Sequence, residues 1–82
     1  MATFIELDDE YLNADAVVSL ATSAQGAYIH LTTGPARRVP LWGTSNTPKE
    51  IAQKLLVALG VPDRGKTKVI AFVDGEIEIS YL

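Results

Sequence analysis

The stretch Gly60-Val61-Pro62-Asp63-Arg64-Gly65-Lys66-Thr67 matches the phosphate-binding pattern G-x-x-x-x-G-K-[ST] letter for letter. That chemistry needs a loop that leaves a strand and enters a helix, so that backbone amides and the helix N-terminus point at the phosphates. Here the order is inverted: a helical pattern precedes the loop and the β-branched run Lys68 to Val73 follows it. The short remainder after Thr67 has no room for the parallel sheet and magnesium-binding acid of a nucleotide hydrolase. The segment therefore reads as a helix end and a basic turn, with no nucleotide expected.

Other reactive groups are sparse. There is no cysteine, which excludes disulfides, thiolate nucleophiles and cysteine-held zinc. Asp8, Asp9, Glu10 and Asp15 cluster near the start, yet they lack the ligand spacing around a glycine that a calcium loop requires, and they read as a solvated turn. His30 is the single histidine, and neither Ser19 nor Ser45 sits in a glycine-flanked nucleophile elbow. No catalytic, cofactor-binding or metal-binding residue is expected, and the reading is a non-enzyme.

The remaining side chains with recognition chemistry are Tyr28, His30, Arg37, Arg38 and Trp42, all within Ala27 to Gly43. Ile29 and Leu31 alternate with Tyr28, His30 and Thr32, and Val39 and Leu41 alternate with Arg38, Pro40 and Trp42, a period of two that indicates strands with one buried face. Pairing Leu31 with Val39 and Ile29 with Leu41 makes Gly34-Pro35-Ala36 the turn. The outer face then pairs Thr32 with Arg38, His30 with Pro40 and Tyr28 with Trp42. Tyr, Trp and Arg are the usual anchors of protein interfaces and also stack on bases and contact phosphates. Against this stands the plainer arrangement in which Trp42 is tucked beneath residues 44–47 as Tyr28's neighbour.

These residues need a scaffold, and its parts are readable. Thr3 to Leu7, Tyr11 to Asn13 and Val17 to Thr22 read as strands, with a bend or single helical turn at Asn13 to Ala16. Thr47 caps a helix over about 48–59, with Pro48 at its first position and Glu50 completing a capping box. Ile51, Ala52, Leu55, Leu56 and Leu59 form its apolar stripe, and Gly60, in a left-handed cap, and Pro62 end it. Lys68 to Val73 and Glu76 to Leu82 form a hairpin about Asp74-Gly75, pairing Phe72 with Ile77 and Ile70 with Ile79. Its second face sets Val69, Ala71 and Val73 against Glu76, Glu78 and Ser80, the mixed character of a contact margin. Ile5/Leu7, Val18/Leu20, Ile29/Leu31, Val39/Leu41 and Ile70/Phe72/Ile77/Ile79 are the inward sets. The expected architecture is α+β: one domain over 1–82, with five or six mostly antiparallel short strands in a sheet or partly open barrel and the helix on the apolar face.

Composition bounds the partners. Of 82 residues, 48% are hydrophobic and 21% charged, and the net charge is −3. An acidic total opposes bulk electrostatic binding to nucleic acid or anionic membrane. The least charged run, Ala16 to Thr33, is interrupted by Ser, Thr, Gln, Gly and His and is no membrane span. The chain opens without the basic segment of a signal peptide. A cytoplasmic location is expected.

Phe4-Ile5-Glu6-Leu7, Tyr11-Leu12-Asn13-Ala14-Asp15 followed by Val17-Val18-Ser19-Leu20, Tyr28-Ile29-His30-Leu31-Thr32-Thr33-Gly34 and the helix opening Pro48-Lys49-Glu50-Ile51 follow one another in order. Over residues 4–56 the chain resembles small flagellar accessory proteins of the FlbD/SwrD type. It differs at Gly34-Pro35-Ala36, at the segment 42–46 and in the C-terminal hairpin. The resemblance implies a layout of short strands and a final helix, a regulatory or accessory role, and no functional residue. Together the residues point to a binding module that contacts another protein or a second copy of itself through Tyr28, His30, Arg37, Arg38 and Trp42. The alternative is nucleic-acid binding by the Tyr28/Trp42/Arg37/Arg38 face, aided by Lys66 and Lys68.

Overall fold

A computed structural model describes residues 2–8, 10–40 and 46–82. The elements are β1 (Thr3–Glu6), β2 (Tyr11–Asn13), a single 3₁₀ turn (Ala14–Ala16), β3 (Val17–Ser23), β4 (Gly26–Leu31), β5 (Arg37–Arg38), α1 (Pro48–Gly60), β6 (Lys68–Val73) and β7 (Glu76–Tyr81). The expected α+β class holds, with seven strands in two sheets and no closed barrel among the described residues. One sheet has the order β2-β1-β6-β7 and the other β3-β4-β5. Pairing is antiparallel except between β1 and β6, which run parallel with Thr3 opposite Lys68 and Ile5 opposite Ile70. A single core joins both sheets to the helix: Ile5, Leu12, Ala27, Ile29, Val39, Ile51, Leu55, Ala58 and Ile70. No helix among the described residues is long and apolar enough to cross a membrane.

Local chemistry accounts for most of the elements. The Asn13 side chain accepts a 2.9 Å bond from the Asp15 amide and starts the 3₁₀ turn. Thr47 and Glu50 form the reciprocal capping box, with the Glu50 amide 3.2 Å from Thr47 Oγ1. Asp74 and Gly75 both take positive φ, 50° and 78°, as a two-residue hairpin turn between right-twisted strands requires. The β6–β7 register is the expected one, Phe72 opposite Ile77 and Ile70 opposite Ile79. Asn46 donates to the Gly75 carbonyl at 2.9 Å and accepts from Lys54 Nζ at 3.0 Å, so the approach to α1 is tied to this turn.

Three packing expectations are corrected. Val18 is 64% exposed rather than inward, because the β3–β4 register shifts between Val17 and Ser19. The extra residue lets Val17 and Leu20, three apart, both pack on the core while Val18 is extruded. Leu56 is 58% exposed, and Ala58 takes its place in the stripe. At about 100° per residue Leu56 lies on the flank of the arc set by Ile51, Leu55 and Ala58. The β4–β5 register differs by four residues: Ile29 faces Arg37 and Tyr28 faces Arg38, in place of Leu41 and Trp42. The end of β4 stays committed to β3, with Leu31 opposite Val17 and the Thr32 amide 2.9 Å from the Ala16 carbonyl. Residues 32–36 then bridge to β5, instead of the tight Gly34-Pro35-Ala36 turn. An even shift preserves strand parity, so Arg38 stays on the outer face with Tyr28 and Val39 remains buried.

The helix end is also corrected. Gly60 belongs to α1, and the cap is Val61 in extended conformation (φ −70°, ψ 132°), the conformation that a following proline favours. The carbonyls left over at this end are taken by Lys68. Its side chain is buried, with Nζ 2.8 Å from the Ala58 oxygen, 3.3 Å from that of Leu59 and bonded also to that of Val61. A cation at the negative end of the helix dipole satisfies orphan acceptors that a left-handed glycine would otherwise serve. Lys68→Met should therefore keep the stem packing, lower unfolding free energy by about 2–3 kcal/mol and leave the m-value unchanged in urea titration.

Candidate functional site

The outer face of the three-stranded sheet carries part of the expected constellation. Tyr28, half-buried, lies between Ala21 on β3 and Arg38 on β5, and exposed His30 lies opposite Ser19. Arg38 extends over the β3–β4 turn, where Nη2 donates to the Gln25 carbonyl at 2.7 Å. Gly26 makes room for it, since a Cβ there would sit 3.1 Å from Arg38 Nε. Arg37 is not part of this face. Strand alternation turns it to the side of Ile29, where its guanidinium pairs with Glu10 and with the Pro35 carbonyl. Glu10 thus leaves the solvated acidic turn expected of it and becomes the link between the β1–β2 turn and β5. Trp42 lies outside the described residues, and its expected partner Tyr28 has Arg38 opposite it instead.

The Gly60–Thr67 segment joins a helix to a strand, the order that phosphate-loop chemistry cannot use. The amides of its Gly-Lys pair are spent internally: Gly65 N–H donates to Asp63 Oδ1 at 2.9 Å and Lys66 N–H to the Asp63 carbonyl at 3.0 Å. The loop already holds an anion, its own carboxylate. Arg64 sits 5.4 Å over the Tyr81 ring, and the Tyr81 hydroxyl donates to the Pro62 carbonyl at 3.0 Å. Lys68, counted as an aid to nucleic-acid binding, is interior and unavailable for it.

Two concavities were not anticipated. A groove of about 520 Å³ runs between α1 and β7, lined by Glu50, Lys54, Val57, Ala58, Ile77 and Ile79. Val57 is 72% exposed on its wall, and Lys54 Nζ stands 3.6 Å from Glu76 at its rim. Sequence periodicity contains a trace of it: Val57 is an aliphatic residue off the helix stripe, beside Glu50 and Lys54. The strand order that puts β7 at a sheet edge is not contained in the pattern. The second hollow, about 370 Å³, lies on the other face of the four-stranded sheet among Phe4, Glu6, Tyr11, Val69, Ser80 and Leu82. There a hydrogen bond to Glu6, with the repulsion of its charge, raises the Tyr11 phenol above its ordinary value. No group of three or more potential metal ligands occurs among the described residues.

The Asp63 carboxyl titrates below its ordinary value, chiefly because it accepts the Gly65 amide. A group depressed in the folded state stabilises fully above its unfolded value, and the contribution fades as pH falls through the folded one. Carboxyl NMR titration should place the Asp63 midpoint below that of the same residue in an unfolded fragment. The stability difference between wild type and Asp63→Asn should shrink over that acid range.

Compared with protein-family models, curated proteins and solved structures, the chain matches none.

Proposed function

We propose that this protein is a small non-enzymatic binding module that acts by holding another protein, and that the groove between α1 and β7 is its contact site. The observation that carries this reading is the coincidence of an apolar wall, formed by Val57, Ile77 and Ile79, with the outermost strand of a sheet. Exposed aliphatic surface beside an open strand edge is a recurrent setting for protein recognition. In this reading the protein is an accessory or regulatory factor, the role implied by its resemblance to the FlbD/SwrD-type proteins. Nucleic-acid binding through Tyr28, His30 and Arg38 ranks second. Among the described residues this face sets the Tyr28 ring beside the Arg38 guanidinium, whereas Arg37 is engaged by Glu10 and Lys68 by the helix end, and the net charge of −3 opposes it.

Peptides selected by display against the wild-type protein should lose affinity for Val57→Asp by about tenfold or more. Val57 is exposed, so this variant should keep its melting temperature to within a few degrees. Selected peptides that bind Val57→Asp undiminished and lose affinity for Arg38→Ala would move the contact to the other sheet and overturn the reading.

A further inference from the structure

The backbone of β7 specifies what the groove can take. In a two-residue antiparallel hairpin the paired residues alternate between exchanging both backbone bonds and exchanging none. Leu82 N–H donates to the Thr67 carbonyl at 2.9 Å, which places Leu82, and by alternation Ser80, Glu78 and Glu76, among the residues bonded to β6. The N–H and C=O groups of Ile77, Ile79 and Tyr81 are consequently directed away from β6, at the edge of the sheet, where no other strand follows among the described residues. Ile77 and Ile79 are also the residues whose side chains line the groove under α1. The same two positions therefore offer hydrogen-bonding backbone in the plane of the sheet and apolar contact beneath it.

Charge narrows the occupant further. Glu50 and Glu76 stand on the rim of the groove, Glu76 and Glu78 share the outer face of β7, and Lys54 is held at 3.6 Å by Glu76. A second copy of β7 added at this edge would bring these carboxylates against one another, which is a deterrent to self-pairing. Resting on the reading that the groove is the contact site, we propose that it binds an extended segment of a partner protein as a fifth strand alongside β7, one that alternates apolar with basic residues. The apolar side chains enter beneath α1 beside Val57 and Ala58, and the lysines or arginines of the opposite face meet Glu76 and Glu78. The six residues of β7 match an added strand of about six or seven residues.

The test uses the intact chain and four capped synthetic peptides of about seven residues: alternating Val and Lys, alternating Val and Glu, and the Val/Lys peptide N-methylated at every second amide in each of the two phases. The Val/Lys peptide should bind, slow amide exchange at Ile77, Ile79 and Tyr81, weaken with added salt and lose about tenfold in affinity against Glu78→Lys. The N-methylated peptide should fail in at least one of its two methylation phases, and the Val/Glu peptide should fail altogether. Equal binding of Val/Glu, binding without protection of those three amides, or no binding of Val/Lys up to about millimolar concentration would overturn the proposal. In each of those cases the display experiment with Val57→Asp still decides separately whether the groove is the contact site.

Discussion

The structure turns on one buried ammonium. Lys68 opens β6, stands opposite Thr3 of β1 in the parallel pair, and places its Nζ among the last carbonyls of α1. A helix that ends at a proline without a left-handed cap has several acceptors with nothing to bond, and in the interior each would be costly. Placing the buried Lys68 cation there meets that need and at the same time fixes where the helix end lies relative to the four-stranded sheet. The charge rests on the carbonyls of Ala58, Leu59 and Val61, whose dipoles at the negative helix terminus balance it.

Once that end is anchored, the rest of α1 has little freedom. Its stripe leans on β3 and β4, and its flank approaches β7, so the helix closes the core from one side and leaves an open channel on the other. A second tie, the Glu10–Arg37 ion pair, joins the β1–β2 turn of one sheet to the short β5 of the other. Half-exposed pairs of this kind contribute on the order of 0–1 kcal/mol. Its importance is geometric: it turns Arg37 inward, and by strand parity it sends Arg38 outward beside Tyr28.

What the residues announced in advance was local. The capping box, the Asp74-Gly75 turn with its register, the bend after Asn13 and the faces of β4 could be read because each depends on neighbours in the chain. The parallel pairing of β1 with β6 could not, since alternation identifies a strand's faces and says nothing of its partner. The β4–β5 register escaped for a related reason: pairings that differ by four residues satisfy the same alternation, and the choice fell to the Ala16 carbonyl and the Gly26–Arg38 approach. Val18 was misplaced by a bulge that a strict period of two cannot represent, and Lys68 by the habit of assigning lysines to the surface. Of the expected contact residues, Tyr28, His30 and Arg38 share a face, whereas Arg37 does not. The groove needed knowledge of which strand ends the sheet.

The parallel pairing of β1 with β6 has a kinetic meaning. Residues 3–5 find their partners at 68–70, so the contact closes a loop of nearly the whole intervening chain, an entropic cost that grows with loop length. The β6–β7 hairpin and α1, by contrast, can assemble from neighbours. Within the four-stranded sheet the β1–β6 pairing is the one that closes the longest loop. During synthesis β1 waits with one side of its backbone unsatisfied until its partner has emerged, a delay of several seconds at ordinary elongation rates of about 5–20 residues per second.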